Sequence, residues 1–314
     1  MKCGRLNGAS SQWNFYFNQL ASMSLSKHLQ TSILPRINGK NANELKQLIL
    51  ECGGRWYAEN PDEETLITEN LTSLGIPCTQ GRIASIKEHI LLHYFEKMLP
   101  LIYSAQHYHA FLSANIDTSD FLDKLSVVRE NGRGILLATA HFGGVELIGP
   151  CIATRKIPVN AVLKFSTEQM SRSSNELADT YFQSGLFGPM KFIELGRPQT
   201  HGALDMAAAL RRNEALLAVF DEKTDYSIPV TLFNRKFWGG AGLNKLIAFT
   251  QRNIALYTVF MLRQNGGRYK LILHEIDSTG DNAVQKLYDS LADLLSEHLE
   301  QWYFLHEELP FADV

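Results

Sequence analysis

The stretch that decides the fold is Gly134-Ile135-Leu136-Leu137-Ala138-Thr139-Ala140-His141-Phe142-Gly143-Gly144-Val145-Glu146. Its first half is an almost uninterrupted apolar run of strand length, and a run that is polar on neither face predicts a strand covered on both sides. His141 follows directly, and the glycines after it open a new helical pattern. Ligands of open α/β sheets bind beyond the carboxyl ends of such strands, so we expect His141 at a ligand-binding groove.

His141 and Glu146 form the first candidate site. Gly143 and Gly144 allow the backbone to turn tightly into a helix and leave room for a ligand. Glu146, one turn into that helix, is expected to reach back to the imidazole, fix its tautomer and steady the imidazolium that forms when His141 takes a proton. A single histidine beside a strand more often has a structural role, so the rest of the chain must decide.

The composition is that of a globular protein with a substantial core. The 314 residues are 45% hydrophobic and 20% charged, and the formal net charge of −3 gives no general electrostatic case for binding nucleic acid. The length suits one compact α/β domain with added helices. We expect a helical region, residues 1–130, packed on an α/β core, residues 131–314.

A membrane span is not predicted, because no stretch reaches the roughly 20 apolar residues that a spanning helix needs. We therefore expect a cytoplasmic protein with at most peripheral contact to the inner membrane. Residues 13–20 hold an apolar cluster that could attach to a membrane surface, although burial against the domain is the favoured interpretation. The cluster consists of Trp13, Phe15, Tyr16, Phe17 and Leu20.

Metal and nucleophile sites are not predicted either. The four cysteines share no short spacing, which excludes a zinc knuckle or a redox pair. His89 and His93 lie four apart on one helical face, but no third ligand follows at a recognisable spacing. Ser166 and Cys151 have no nucleophile signature around them and are interpreted as structural.

Hydrophobic periodicity predicts the remaining elements. Helices are expected at 41–59, ending near Gly53 and Gly54, at 63–74, at 83–112 with a break or kink at Pro100, and at 121–129. The later chain alternates strands (159–165, 191–196, 214–220, 229–238, 254–264, 269–276) with helices (168–185, 203–212, 242–252, 281–302). This alternation predicts an α/β fold with a central mixed, mostly parallel sheet flanked by helices, the last strand being antiparallel.

Two further groups of charged residues follow predicted strands. Asp221 and Glu222 come directly after the strand at 214–220 and are expected beside the same groove as His141. Lys164 lies near the carboxyl end of the strand at 159–165. If that strand runs beside the strand before His141, Lys164 can point into the groove and favour a negative oxygen there.

Five blocks in order between residues 60 and 306 resemble the lipid A late acyltransferases, the lauroyl/myristoyl acyltransferase family. His141 and Glu146 have the spacing of the His-x4-Asp/Glu motif of glycerolipid and lipid A acyltransferases. The blocks are 66–71, similar to an early "NL" helix; 135–146; 216–221, similar to a strand ending in Asp-Gln; 230–242, similar to an "FFG" segment; and 300–306, similar to "PEQWxWxH". The chain is thereby identified as a soluble, divergent member with a glycerolipid-acyltransferase-like fold.

The resemblance implies transfer of an acyl group from an acyl carrier protein or coenzyme A thioester directly to a hydroxyl or amine, with no cofactor. His141 would be the general base and Glu146 its orienting carboxylate. Backbone N–H groups at Gly143 and Gly144, together with Lys164, would face the oxyanion. Asp221 and Glu222 would contribute to the substrate site.

The chain departs from the family pattern at three points. The N-terminal membrane helix usual in the family is not predicted in this sequence, Lys164 stands where the family has arginine, and Glu222 stands where it has glutamine. A lysine lacks the bidentate fork of arginine, which weakens the case for a phosphate-rich acceptor. Two alternatives therefore stay open: a specialised-metabolite acyl or aminoacyl transferase acting on a small or carrier-bound amine, and a non-catalytic module that binds an acyl carrier.

Overall fold

The structure is a computed structural model that describes residues 23–118, 121–165, 167–195, 201–224, 226–250, 253–278 and 283–312. The apolar cluster at residues 13–20 and Ser166 lie outside these ranges, and their interpretations stay predictions. Within the described ranges, no helix has both the length and the apolar character needed to cross a membrane.

The N-terminal part is helical up to the first long strand, as predicted. Its helices are α1 (Leu25–Ile33), α2 (Ala42–Glu59), α3 (Asp62–Ser73), α4 (Gln80–Ile102), α5 (Ala105–Asn115) and α6 (Phe121–Glu130). Polar side chains satisfy the free N–H groups at several helix starts. Asn41 and Glu44 form a reciprocal capping box on α2, and Thr79 and Ser104 cap α4 and α5.

The predicted end of α2 at Gly53 and Gly54 is wrong, since the helix continues to Glu59. Gly53 has a packing role instead. A Cβ placed on it would lie 2.1 Å from Leu91 Cδ2, so a larger residue here would displace the Leu91 side chain that packs α4 against α2.

The predicted helix at 83–112 is divided into α4 and α5, but not at Pro100. The proline lies inside α4, which runs on to Ile102. The break comes at Tyr103, which has an extended backbone, and Ser104 then caps α5 with its hydroxyl on the N–H of His107. A strong N-cap therefore decides where the second helix begins.

The rest of the chain forms the predicted α/β core. Its elements are β1 (Ile116–Asp117), β2 (Gly134–Thr139), α7 (Ile148–Ala153), β3 (Val159–Leu163), α8 (Glu168–Gln183), β4 (Met190–Glu194), α9 (Gly202–Arg211), β5 (Ala215–Val219), β6 (Ser227–Leu232), β7 (Arg235–Gly240), α10 (Gly242–Phe249), β8 (Ile254–Gln264), β9 (Arg268–Glu275) and α11 (Ala283–His298). In the described chain, the main sheet has the order β1-β9-β8-β2-β5-β3-β4. All its neighbouring pairs are parallel except β8 with β9, which confirms the mixed, mostly parallel sheet.

The segment at 229–238, predicted as one strand, is a hairpin outside the main sheet. β6 and β7 pair antiparallel across a two-residue turn at Phe233 and Asn234. Both turn residues have positive φ, 51° and 58°, as the favoured two-residue hairpin turn requires. The turn contains no glycine, so the usual sequence signal was missing.

The predicted helix at 281–302 also stops early. α11 ends at His298 and two short 3-10 turns follow, Leu299–Gln301 and Tyr303–His306. These turns pack against the carboxyl end of β2, where Phe142 forms an isolated bridge with Trp302.

The helical region is in direct contact with the core. Asn70 of α3 is buried and donates its amide to the carbonyls of Leu305 (3.1 Å) and Glu307 (2.8 Å). Hydrogen bonds therefore join the two predicted regions, residues 1–130 and 131–314. They end in the C-terminal segment, which covers the carboxyl edge of the sheet.

Candidate active site

His141 and Asp221 meet at the carboxyl edge of the sheet because their strands are neighbours in register. β2 ends at Thr139 and β5 at Val219, and these two residues are paired. The residues two positions further along each strand therefore face each other. His141 Nδ1 lies 2.9 Å from Asp221 Oδ1, and the backbone N–H of His141 donates to Asp221 Oδ2 at 2.9 Å.

The C-terminal segment completes this arrangement. Trp302 Nε1 donates to Asp221 Oδ2 at 3.2 Å, and the backbone N–H of Tyr303 donates to the carbonyl of His141 at 2.8 Å. The ring of Phe304 stands edge-on to the imidazole with the ring centres 5.0 Å apart. The side chain of Asp221 is fully buried and accepts three hydrogen bonds, so it holds the imidazole by Nδ1 and leaves Nε2 outside this contact.

A second carboxylate lies at the other nitrogen of His141. Glu222 Oε1 is 3.4 Å from His141 Nε2, and the Glu222 side chain is 51% exposed. Burial by itself would lower the pKa of His141. The charge and hydrogen bond of Asp221, followed by the charges of Glu222 and Glu146, outweigh burial and raise that pKa to about 9. His141 is therefore protonated at neutral pH in this arrangement.

Glu146 does not make the predicted contact with the imidazole of His141. It belongs to a 3-10 turn, Val145–Leu147, and its carboxylate lies 3.7 Å from Nε2 of His93 on α4. Two causes account for the difference. Glu146 lies in the 3-10 turn that precedes α7, which begins only at Ile148, and Asp221 already binds the imidazole of His141 at Nδ1.

The backbone N–H groups of Gly143 and Gly144, expected to face an oxyanion, are used inside the fold. Gly143 donates to the carbonyl of Gln301 (3.0 Å) and Gly144 to that of Met261 (2.8 Å). Gly143 has φ of +56°, and a Cβ on it would lie 2.0 Å from the Met261 carbonyl oxygen. Both glycines therefore serve the close approach of this loop to β8.

A buried ion pair that the sequence analysis missed holds the same loop. Arg263, near the end of β8, donates to both carboxylate oxygens of Glu96 on α4, at 2.7 and 2.8 Å. Its Nη2 also donates to the carbonyl of Gly143 at 2.6 Å. One signal for this pair was present in the sequence: Arg263 is a charged residue within the long, otherwise apolar strand predicted at 254–264, a position where charge is rarely buried without a partner.

Lys164 is exposed and lies one residue beyond β3. The condition under which Lys164 would reach the groove, that its strand runs beside the strand of His141, is not met, because β5 lies between β2 and β3. Two strand spacings separate the axes of β2 and β3, or about 10 Å. The order of the strands therefore does not bring Lys164 into contact with the imidazole of His141.

Burial keeps two further histidines and a cysteine near the site uncharged. Burial, followed by the charge of Arg263, lowers the pKa of His89 to about 4. Burial also lowers the pKa of His93 well below its usual value. Burial raises the pKa of the Cys151 thiol to about 12, which agrees with its interpretation as a structural residue and not a nucleophile.

Most of the chain matches a known protein family. A family model described as bacterial lipid A biosynthesis acyltransferase matches residues 33–309. The match includes the helices α2 to α6, the whole sheet, and the segment that covers His141. No curated protein sequence matches the chain.

Proposed function

Because the chain belongs to the bacterial lipid A biosynthesis acyltransferase family, and is therefore an acyltransferase, we propose that it transfers an acyl group from a thioester directly to an acceptor hydroxyl or amine. The donor would be an acyl carrier protein or coenzyme A, with no further cofactor. The observation that supports this reaction is the contact of His141 Nδ1 with buried Asp221 at 2.9 Å, which leaves Nε2 as the ring nitrogen that can serve as the base.

In the proposed mechanism His141 first gives up the proton on Nε2 and then acts as general base through that nitrogen. It takes the proton of the acceptor while the acceptor atom attacks the thioester carbonyl, and the thiolate that leaves then receives a proton. Asp221 keeps the proton on Nδ1 and stabilises the imidazolium. Since Glu222 now lies at Nε2, the acceptor must bind between these two groups or displace the carboxylate.

The roles proposed for the remaining site residues follow from their positions. Glu146 contributes negative charge near His141 without touching its ring. Gly143 and Gly144 shape the loop. Lys164, exposed and on the far side of β5, suits the phosphates of a donor better than an oxyanion beside His141. Because thioester donors of this kind are cytoplasmic metabolites, we propose a cytoplasmic site of action with at most peripheral membrane contact.

Intact-mass analysis of products tests the proposal. The protein is mixed with acyl carrier protein or coenzyme A thioesters and with acceptors that carry a hydroxyl or an amine. We expect transfer by the wild type, a loss of at least about 10²-fold for His141→Ala, and a smaller loss for Glu146→Ala. His107→Ala, which changes an exposed histidine on α5, is the matched control. Transfer near the wild-type rate by correctly folded His141→Ala contradicts the proposed mechanism.

A further inference from the structure

The position of Glu222 is not explained by a need to orient His141. Asp221 already binds Nδ1 and the backbone N–H of His141 from a fully buried position. Glu222 lies instead at Nε2, 3.4 Å away, and half of its side chain is open to solvent. It therefore occupies the place where an acceptor must present its nucleophile to the base.

The charges that face His141 are predominantly negative. Asp221 and Glu222 follow β5, Glu146 approaches from the 3-10 turn after the glycines, and Glu307 lies within electrostatic reach in the C-terminal segment. On the α4 side, His93 is buried and its pKa is lowered. The guanidinium of Arg263 is bound by Glu96. Such a field disfavours a phosphate beside the base and favours a cation.

We propose that the acceptor is a primary amine that arrives as an ammonium ion and binds between Glu222 and His141, so that the product is an amide. The inference rests on the proposed acyl transfer and names its acceptor class. Glu222 is then the residue that selects the charge of the acceptor, since an ammonium gains both a hydrogen bond and an ion pair with the carboxylate, whereas a neutral hydroxyl gains the hydrogen bond alone.

The proton balance of the reaction agrees with this acceptor. An ammonium loses two protons when a C–N bond forms and the C–S bond of the thioester breaks. The departing thiolate takes one of these protons, and one must reach solvent. A hydroxyl loses a single proton, which His141 alone can pass to the thiolate. The half-exposed Glu222 beside Nε2 supplies the second proton acceptor, with a path to water, that only the amine reaction needs.

An ammonium also converts His141 to its base form. The carboxylates around the imidazole raise its pKa to about 9, so that it carries a proton at neutral pH. A cation bound at Glu222 offsets that negative charge and lowers the pKa of His141, which frees Nε2. A neutral acceptor leaves the carboxylates uncompensated and His141 protonated.

Binding is tested without any acyl donor. The ¹³C-labelled histidine spectrum is titrated at pH 7 with n-butylammonium chloride and, separately, with n-butanol, and the His141 signal is identified from the spectrum of His141→Ala. We expect butylammonium to move the His141 signal saturably toward that of neutral imidazole and butanol to leave it unchanged. In Glu222→Gln the apparent affinity for butylammonium should fall by about tenfold or more.

The matched control for binding is Glu275→Gln. Glu275 is exposed and lies on β9 opposite Tyr257 of β8, two strands from β2 and well before the edge that carries His141. This variant should respond like the wild type. A wild-type signal that ignores butylammonium, or a Glu222→Gln response equal to that of Glu275→Gln, overturns the inference.

Transfer is then measured with acyl-coenzyme A and the matched acceptors n-dodecylamine and n-dodecanol. We expect the wild type to prefer the amine, and Glu222→Gln to lower kcat/KM for the amine by more than about tenfold and so to reduce the preference for the amine over the alcohol. Preference for the alcohol overturns the inference and leaves acyl transfer in place. An intact butylammonium response with no transfer to either acceptor counts against the acyl transfer and not against the ammonium site.

Discussion

Asp221 is the residue on which the geometry of the site depends. Its side chain has no exposed surface, and each hydrogen bond that it accepts comes from a group that must be placed correctly: two from His141 and one from Trp302. A buried carboxylate is stable only when such partners are present. The position of the imidazole is therefore set by β5 and by the C-terminal segment together.

Asp221→Asn should lower the pKa of His141 from about 9, because the amide keeps the shape of the side chain but removes its negative charge. The sign follows from the charged form: Asp221 stabilises the imidazolium, so its loss lets the proton leave at lower pH. A ¹³C histidine titration measures the shift. Turnover should fall in the same variant, because asparagine does not fix the tautomer.

Trp302→Phe is the control for that titration. It removes one hydrogen bond to Asp221 but leaves the carboxylate charge, so the pKa of His141 should stay near its wild-type value. An unchanged His141 pKa in Asp221→Asn would mean that another group holds the proton.

For single residues, the sequence analysis identified His141 but not the carboxylate that binds its imidazole. The histidine was found because a buried strand, a histidine and two glycines are adjacent in the chain. The partner depends on which strands are neighbours, and Asp221 is 80 positions away from His141. Glu146 was chosen because it was close in sequence. The order of β2, β5 and β3 could not be read from local periodicity.

The loop after β2 is held by several neighbouring elements. β8 accepts the N–H of Gly144, the turn after α11 accepts that of Gly143, and Arg263 binds the carbonyl of Gly143. Glu96 on α4 in turn fixes the guanidinium. The helical region therefore reaches the loop that carries His141 through one buried ion pair.

Glu96→Ala should lower the free energy of unfolding by about 3–5 kcal/mol, because it leaves the guanidinium of Arg263 buried without its carboxylate. Both side chains are at most 5% exposed, so water cannot compensate. Urea unfolding measures the loss. A change below about 1 kcal/mol would contradict a structural role for the pair.

The double variant Glu96→Leu/Arg263→Met separates stability from positioning. Replacement of a buried ion pair by apolar side chains of similar size often costs little, so much of the stability should return. Transfer should stay about tenfold or more below wild type, since the carbonyl of Gly143 has lost its donor and the loop is less well placed.

Element prediction succeeded where the signals were local. The helical periodicity of the N-terminal region and the βα alternation were visible in the sequence, and the corresponding helices and strands are present. The hairpin of β6 and β7 was missed because its turn uses Phe233 and Asn234 at positive φ without a glycine. The early end of α11 was missed because the leucine pattern continues past His298 into a 3-10 turn.

Over the whole molecule, the helical region and the sheet meet at the segment that covers the site. Asn70 donates to the carbonyls of Leu305 and Glu307, and Tyr303 of the same segment donates its backbone N–H to the carbonyl of His141. The hydroxyls of Tyr94 on α4 and Tyr303 are 2.9 Å apart. These contacts predict that the two regions unfold together.

The Asn70→Ala variant tests whether the helical region and the sheet unfold together. It removes the donor for the carbonyls of Leu305, which is buried, and Glu307, and should lower the free energy of unfolding by about 1–3 kcal/mol. Asn175→Ala is the matched control, because Asn175 is exposed and its amide donates to a carbonyl one turn earlier on its own helix, α8. The free energy of unfolding of this variant should stay within about 0.5 kcal/mol of wild type.

Urea unfolding is followed by tryptophan fluorescence and by far-UV circular dichroism. We expect the two probes to give coincident transitions in wild type and in both variants, since the contacts of Asn70 join regions that share one core. Two separate transitions in the wild-type protein would show that the helical region and the sheet are independent folding units, and an Asn70→Ala effect no larger than that of the control would show that this contact does not join them.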